Sequence, residues 1–250
     1  MNILALVKRV PTTDLVAKIG GDGKHLDASG VQYMTSFYDE IAVEAAVQTK
    51  EKLGGEVTVL TLGPSEASKE LRECLAKGGD KGIVLTDDHW ADRDALSTAA
   101  AIKTQVEELG SNVVFCGRVA TDRDNASVGP MLATMLGWAC VTDVVELELT
   151  ETGGTAKREA DDGVESFSFE LPAVITCQKD LNEPRYAGLK GIMAAKKKPL
   201  EEVPAPAAAN QVEVVGLELP PERKEGRIVG EGVEAVGALI DALQNEAKVL

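Results

Sequence analysis

Apolar runs and helical periodicities take turns along the first 140 residues. Asn2 to Lys8 (NILALVK) is a compact apolar run that predicts a strand, with Lys8 and Arg9 at its carboxyl end before Pro11 turns the chain. Thr12 to Tyr33 is polar and glycine-rich, and Gly20, Gly21 and Gly23 predict a hairpin or excursion there. Asp39 to Leu53 places Ile41, Ala42, Ala45, Ala46, Thr49 and Leu53 at helical spacing, stopped by Gly54 and Gly55. Glu56 to Leu62 predicts a strand, Gly63-Pro64-Ser65 a turn, and Glu66 to Lys77 a helix with Leu71, Cys74 and Leu75 on one stripe. The rhythm repeats with a strand at Gly82 to Thr86, a helix at Asp94 to Leu109, a strand at Asn112 to Gly117 and a helix at Asn125 to Leu136. Each connection in such a series must cross over and cover a face, so the expected fold class is α/β, a doubly wound parallel sheet.

After Val141 the pattern changes. Glu146 to Thr150, Thr155 to Glu159 and Val164 to Phe169 read as strands separated by GG and DDG turns, an antiparallel addition before a buried strand at Leu171 to Cys177. Asp180 to Tyr186 then supplies charges, an amide, a proline and an aromatic ring, and Gly188 and Gly191 flank Leu189 on an expected loop. Ile192 to Ala195 begins a short helix that Pro199 stops, after three lysines at Lys196 to Lys198. Beyond it, EEVPAPAAAN reads as a linker by composition, and a last helix at Val233 to Glu246 is too small to be stable alone. The expected organisation is one α/β domain over 1–199 and a linker with an extended C-terminal arm over 200–250 that packs on another chain.

Composition narrows the function. With 44% hydrophobic but only 4% aromatic residues, the core must be built from Ala, Val, Leu and Ile. A net charge of -15 argues against nucleic acid as a partner, because phosphate neutralisation needs clustered Lys and Arg. No apolar run reaches the length of a membrane span, and Lys8 and Arg9 interrupt the start too early for the apolar core of a signal peptide. Cys74, Cys116, Cys140 and Cys177 are widely spaced and His25 and His89 are the only histidines, so a metal centre is not expected and the cysteines read as buried thiols in a reducing compartment.

Ligands of open α/β sheets sit beyond the carboxyl ends of the strands, where strand order reverses. The ends at Leu6 to Arg9, Leu62 to Pro64 and Cys116 to Arg118 are expected to converge there. The loop from Ala120 to Gly129 adds Asn125, Ser127 and backbone N–H groups at a helix start, a natural phosphate cradle, provided that Asp122 and Asp124 point elsewhere. By pattern alone, a nucleotide site and an ordinary capped loop are equally compatible with these residues. GxxxxGK[ST], GxGxxG after the first strand and the SGGxDS loop are all absent, and no Ser-His-Asp set can be assembled. A nucleotide here would be a structural ligand rather than a substrate. The lysines beside Leu189 read either as a solvated face or as a basic docking patch for an acidic partner.

Five segments change the picture: ALVKRVP at Ala5, DEIAVEAAV at Asp39, CGR at Cys116, LNEPRYAGLKGIMAAKKKPL at Leu181 and the closing NEAKVL. In this order and spacing the chain resembles the beta subunit of electron transfer flavoproteins over most of its length. The resemblance implies an adenine-nucleotide-binding (HUP-like) fold whose cleft encloses AMP, with contacts from Leu6, Ser36, Phe37, Tyr38, Asp39, Leu62 and the run Ala120, Thr121, Asp122, Arg123, Asp124, Asn125, Ala126, Ser127, Val128, Gly129, Pro130 and Met131. Many members have Asn-Pro-Phe at Ser36-Phe37-Tyr38 and Gln-Thr or Gln-Val at Ser127-Val128, so what carries over there is backbone contact. It further implies a docking segment made by Glu183, Arg185, Tyr186, Leu189, Ile192, Met193, Lys196, Lys197 and Lys198, in which Leu189 enters a pocket on a partner while Glu183, Arg185 and the lysines fix the loop and its surrounding contacts. The implied partners are an alpha subunit holding FAD near Lys8 to Asp14, acyl-CoA-type dehydrogenases as donors and a quinone oxidoreductase as acceptor. The implied location is the cytoplasm of a prokaryote or the mitochondrial matrix of a eukaryote, and no bond chemistry is expected of the subunit. Two alternatives stand beside this reading: a bifurcating flavoprotein with a second FAD in place of AMP, and a free-standing nucleotide-binding stress or signalling protein.

Overall fold

Period-two alternation in the first strand decides how the sheet is buried. Ile3 and Ala5 face one helical layer and Leu4 and Leu6 the other, and all four are buried. The computed structural model describes residues 1–222 and 225–250 and divides into two units, Met1–Gly216 and Leu217–Leu250. In chain order the first unit contains β1 (Asn2–Leu6), β2 (Arg9–Pro11), β3 (Tyr33–Thr35), α1 (Phe37–Leu53), β4 (Glu56–Gly63), α2 (Ser68–Lys77), β5 (Lys81–Thr86), α3 (Ala95–Leu109), β6 (Val113–Gly117) and α4 (Val128–Leu136). It continues through β7 (Ala139–Leu149), β8 (Gly153–Ala160), β9 (Gly163–Glu170), β10 (Ala173–Cys177), α5 (Leu189–Ala195) and β11 (Leu200–Pro204).

The main sheet has nine strands in the order β11-β5-β4-β1-β6-β10-β7-β8-β9. Pairing is parallel from β11 to β7 and antiparallel through β8 and β9, as the expected fold class requires. On one face Ile41, Ala42, Ala45 and Ala46 of α1 and Leu71, Cys74 and Leu75 of α2 pack on Ile3, Val57, Val59 and Ile175. On the other, Ala99, Ile102 and Val106 of α3 and Leu132 and Ala133 of α4 pack on Leu4, Leu60, Leu85 and Val114. Small residues on the helices bring their backbones close to the sheet, which is how a core with few aromatic rings fills its volume.

Five local expectations change. Of the four cysteines expected to be buried, Cys140 is exposed at the start of β7, on a strand flanking the parallel core. The helix expected from Asn125 begins at Val128, because Asp124 and Ala126 take left-handed backbone conformations (φ +50° each). Arg9–Pro11 and Tyr33–Thr35 form a small antiparallel ribbon too short to show a period, while an isolated bridge, Ile19 to Leu26, closes the excursion expected around Gly20. Leu189 opens helix α5 instead of lying in a loop. Leu200–Pro204, expected to start a linker, adds to the free edge of β5 from Leu200↔Gly82 to Pro204↔Thr86. An edge strand uses one side of its backbone only, so its polar composition and terminal proline are no obstacle.

In the second unit a 3-10 turn at Val233–Ala235 leads into α6 (Val236–Asp241) and a π-helical turn at Ala242–Ala247, with an ion pair from Arg227 to Glu246 at 2.5 Å. Val236, Leu239 and Ile240 recur at helical spacing and are exposed. No helix among the described residues is long and apolar enough to cross a membrane.

Candidate functional site

The sheet order seats β4, β1 and β6 side by side, so the three strand ends converge as expected. Above them lies a cleft with about 1030 Å³ of empty space, open solvent included. Its floor is Leu6, Leu60, Leu62 and Cys116. One wall is the β6–α4 loop and the start of α4, from Arg118 to Gly129, and the other is Trp90, Arg93, Asp94, Ala95, Thr98 and Ile102. An apolar floor with polar rims suits a ligand having a flat apolar part and a charged end.

The amino end of α1 fixes the relation between these strand ends. The two carboxylate oxygens of buried Asp39 accept the backbone N–H groups of Lys8 (2.8 Å) and Gly117 (2.9 Å), one from each strand end. Burial pushes this carboxyl up to about 7, against the pull of the two N–H groups and of nearby Lys8. Gly117 has to be glycine, since a Cβ there would stand 2.6 Å from the Asp39 carboxylate and 2.7 Å from the Tyr38 Cβ. Ser36 adds a second tie: its N–H donates to the Lys8 carbonyl at 3.0 Å, and its hydroxyl accepts from Thr121 N–H at 3.3 Å.

The β6–α4 loop is shaped for an anion. Left-handed residues at Asp124 and Ala126 fold its backbone back on itself before α4 begins. The N–H groups of Asn125, Ala126, Ser127, Val128 and Gly129 have no acceptor among the described residues. A run of such groups in alternating backbone conformations at a helix start forms a concave nest for a phosphate. The acidic neighbours are disposed of: Asp122 pairs with Lys8 Nζ at 2.6 Å, and Asp94 caps α3, accepting from Ser97 N–H at 2.7 Å. Cys116 on the floor is a thiol and not a nucleophile, because burial pushes it far above the ordinary range.

Of the residues expected to hold a nucleotide, Leu6, Asp39, Leu62, Ala120, Asp122, Arg123, Asn125, Ala126, Ser127, Val128 and Gly129 line this cleft. Ser36, Phe37, Tyr38, Thr121, Asp124, Pro130 and Met131 do not. Ser36 and Thr121 act on each other from behind the wall, Tyr38 and Met131 pack into the two core layers, and Phe37 is exposed against the edge of the Tyr38 ring. The entire second wall escaped the sequence reading. Its one legible signal was Asp94, a helix cap following a strand, which by itself says nothing of a ligand.

The docking segment divides in two. Glu183, Tyr186, Leu189, Ile192, Met193, Lys196 and Lys197 are exposed, Leu189 at 75% and Tyr186 at 97%. Leu189, Ile192 and Met193 share one face of α5. Arg185 and Lys198, expected among the docking contacts, turn inward. Arg185 donates to buried Glu44 at 2.8 and 2.9 Å and to Glu51 at 2.6 and 2.9 Å. Burial alone would raise Glu44, yet this guanidinium holds it below the usual carboxylate range. Lys198 donates to the carbonyls of Leu75 (2.9 Å) and Gly79 (2.6 Å) at the end of α2, and its ammonium is lowered, first of all by burial. Arg72 closes the assembly by donating to the carbonyls of Ala195 and Lys198. Arg9, expected on an open surface, is likewise drawn in, pairing with buried Glu70 at 2.8 Å beneath the Tyr33 ring.

Comparison with known proteins gives this geometry its family. Residues 25–208 match the electron transfer flavoprotein domain. The chain is 36% identical to the electron transfer flavoprotein subunit beta of Bacillus subtilis over 259 aligned positions, covering all of both chains. The chain belongs to the electron transfer flavoprotein family. The likeness crosses kingdoms: it is 33% identical to the subunit beta of Dictyostelium discoideum, over all of this chain and 99% of the other. It is 36% identical to the mitochondrial subunit beta of Oryza sativa subsp. indica over the full length of both. These are electron transfer flavoprotein beta subunits by name, and an electron-carrier role in company with an alpha subunit follows for this chain. Among the described residues, the nest and the exposed faces of α5 and α6 are left open to ligands or partners.

Proposed function

We propose that this chain binds AMP in the cleft above β4, β1 and β6 as a structural ligand, and that its alpha partner holds the redox FAD. The observation that carries the reading is the run of five N–H groups from Asn125 to Gly129 beside an apolar floor. The adenine would lie over Leu6, Leu60 and Leu62, with the phosphate on the nest. The residues fit this group by their chemistry, since the lining carboxylates of Asp39, Asp94 and Asp122 are each engaged within the protein and none is left to repel it. Bound FAD supplies the electron-carrying chemistry; the work of this chain is to bind, position and dock.

Electrons would enter from acyl-CoA-type dehydrogenases through the face made by Leu189, Ile192 and Met193, and leave to a quinone oxidoreductase. The apolar stripe Val236, Leu239 and Ile240 on α6 suits burial against the alpha subunit. The location in keeping with this is the cytoplasm of a prokaryote or the mitochondrial matrix of a eukaryote. Extraction of the small molecules from the purified heterodimer tests the cofactor reading, with one AMP and one FAD expected. Two flavins per heterodimer would move the chain to the bifurcating type, and a flavin-free homodimer would move it to a free-standing nucleotide-binding protein.

A further inference from the structure

Four cations border the cleft, and three of them face a carboxylate. Lys8 Nζ lies 2.6 Å from Asp122, Arg93 Nε 2.5 Å from Asp87 and Arg118 Nε 2.9 Å from Asp143. Arg123 has no carboxylate partner among the described residues. Its guanidinium instead crosses from the β6–α4 loop to the opposite wall, where Nη2 donates to the Ala91 carbonyl at 2.5 Å and Nη1 to the Arg93 carbonyl at 3.1 Å.

That opposite wall is firmly held. The Arg93 side chain donates to Asp87 and to the carbonyls of Ser97 (3.2 Å) and Pro206 (2.9 Å). Asp92, between the two acceptors, takes His25 Nε2 at 2.7 Å, which ties the wall to the hairpin at Gly20. Lys8 and Asp122 make a second bridge, from the end of β1 to the same loop. The nest at Asn125 to Gly129 therefore follows directly on a loop stretch strapped on both sides, with the Asp122 carboxylate at one strap. One phosphate can occupy the nest. A second phosphate joined to it would have to leave past the Arg123 bridge, whose N–H groups are already given to the Ala91 and Arg93 carbonyls.

We propose that Arg123 is a specificity-determining residue, a strap that restricts the cleft to a nucleotide ending in a single phosphate and slows its escape. This rests on the nucleotide reading above. Arg123 is exposed, so removing its side chain leaves the core untouched. Exchange of isotopically labelled AMP from the heterodimer, chased with unlabelled AMP, ADP or FAD, tests the strap in the parent, Arg123→Ala and Arg123→Lys. For Arg123→Ala, loss of two hydrogen bonds from a charged donor gives about tenfold faster exchange, with the preference for AMP over ADP falling by a comparable factor. Arg123→Lys keeps the charge without the planar fork and falls between. Unchanged exchange and preference in Arg123→Ala overturn the strap. Equal weakening of AMP and ADP also overturns it, because Arg123 would then be only a general counter-charge. A parent heterodimer that takes up no AMP removes the nucleotide reading itself, a failure visible before any variant is made.

Discussion

In the proposed docking surface Leu189 would carry more than its size suggests, because the charged residues around it are divided between holding and presenting. Arg185 and Lys198 are spent on the protein's own carboxylates and carbonyls, which leaves the apolar face of α5 in the open. Burying one leucine is worth about 1.5 to 3 kcal/mol. Leu189→Ala is therefore expected to slow reduction by a partner dehydrogenase by about tenfold or more, leaving nucleotide content and heterodimer assembly unchanged. Stopped-flow reduction measures this, and equal rates for variant and parent would remove the anchor. Asp39 makes a different prediction. Its carboxyl is raised by burial to about 7 from 3.8, so between those values the folded chain binds more protons at this site than the unfolded chain. Stability from this group is greatest at low pH and falls as pH rises from about 4 to about 7. Asp39→Asn should remove that part of the slope, read from denaturant midpoints across the range, and an unchanged slope would deny Asp39 the titration.

At the scale of elements, α5 is placed by a glycine. A Cβ on Gly191 would stand 2.3 Å from the Ala76 carbonyl of α2, so the two backbones touch where any other residue would force them apart. Gly191→Ala is expected to cost about 1 to 3 kcal/mol by overpacking and to slow dehydrogenase-driven reduction although Leu189 is intact. A thermal midpoint and a transfer rate both equal to the parent's would show that α5 needs no such closeness. The hairpin at Gly20 is another placed element. Both ring nitrogens of His25 lie against carboxylates, Asp22 at 2.6 Å and Asp92 at 2.7 Å, an arrangement that only the protonated ring satisfies with two donors. Its affinity for a proton is raised, first by Asp22 and then by Asp92, so this clasp is complete below the ordinary histidine range and lost as pH rises through the raised value. Hydrogen exchange at residues 19–26 should accelerate over that rise, and His25→Gln should show the faster exchange throughout.

On the scale of the molecule, the unit Leu217–Leu250 buries no apolar side chain among its described residues. Its apolar stripe of Val236, Leu239 and Ile240 is exposed in the isolated chain, as a surface kept for the proposed alpha partner would be. Leu239→Glu with Ile240→Glu is expected to abolish co-purification with the alpha subunit while the Met1–Gly216 unit retains its fold by circular dichroism. Retained co-purification would place the interface elsewhere.

The alternation of strands and helices, and with it the convergence of β4, β1 and β6, is written in the chain because each buried strand and amphipathic helix satisfies its own local period. The end of that pattern at Val141 announced the antiparallel strands for the same reason. Neither the second wall of the cleft nor the strand at Leu200–Pro204 has such a period: residues 90–94 are defined by what they face, and an edge strand by the neighbour whose hydrogen bonds it accepts. The inward turn of Arg185 and the crossing of Arg123 depend in the same way on partners 141 and 32 residues away. Local patterning settles which segments become strands and helices, whereas the destination of a long charged side chain depends on which distant backbones folding brings within about 3 Å of it.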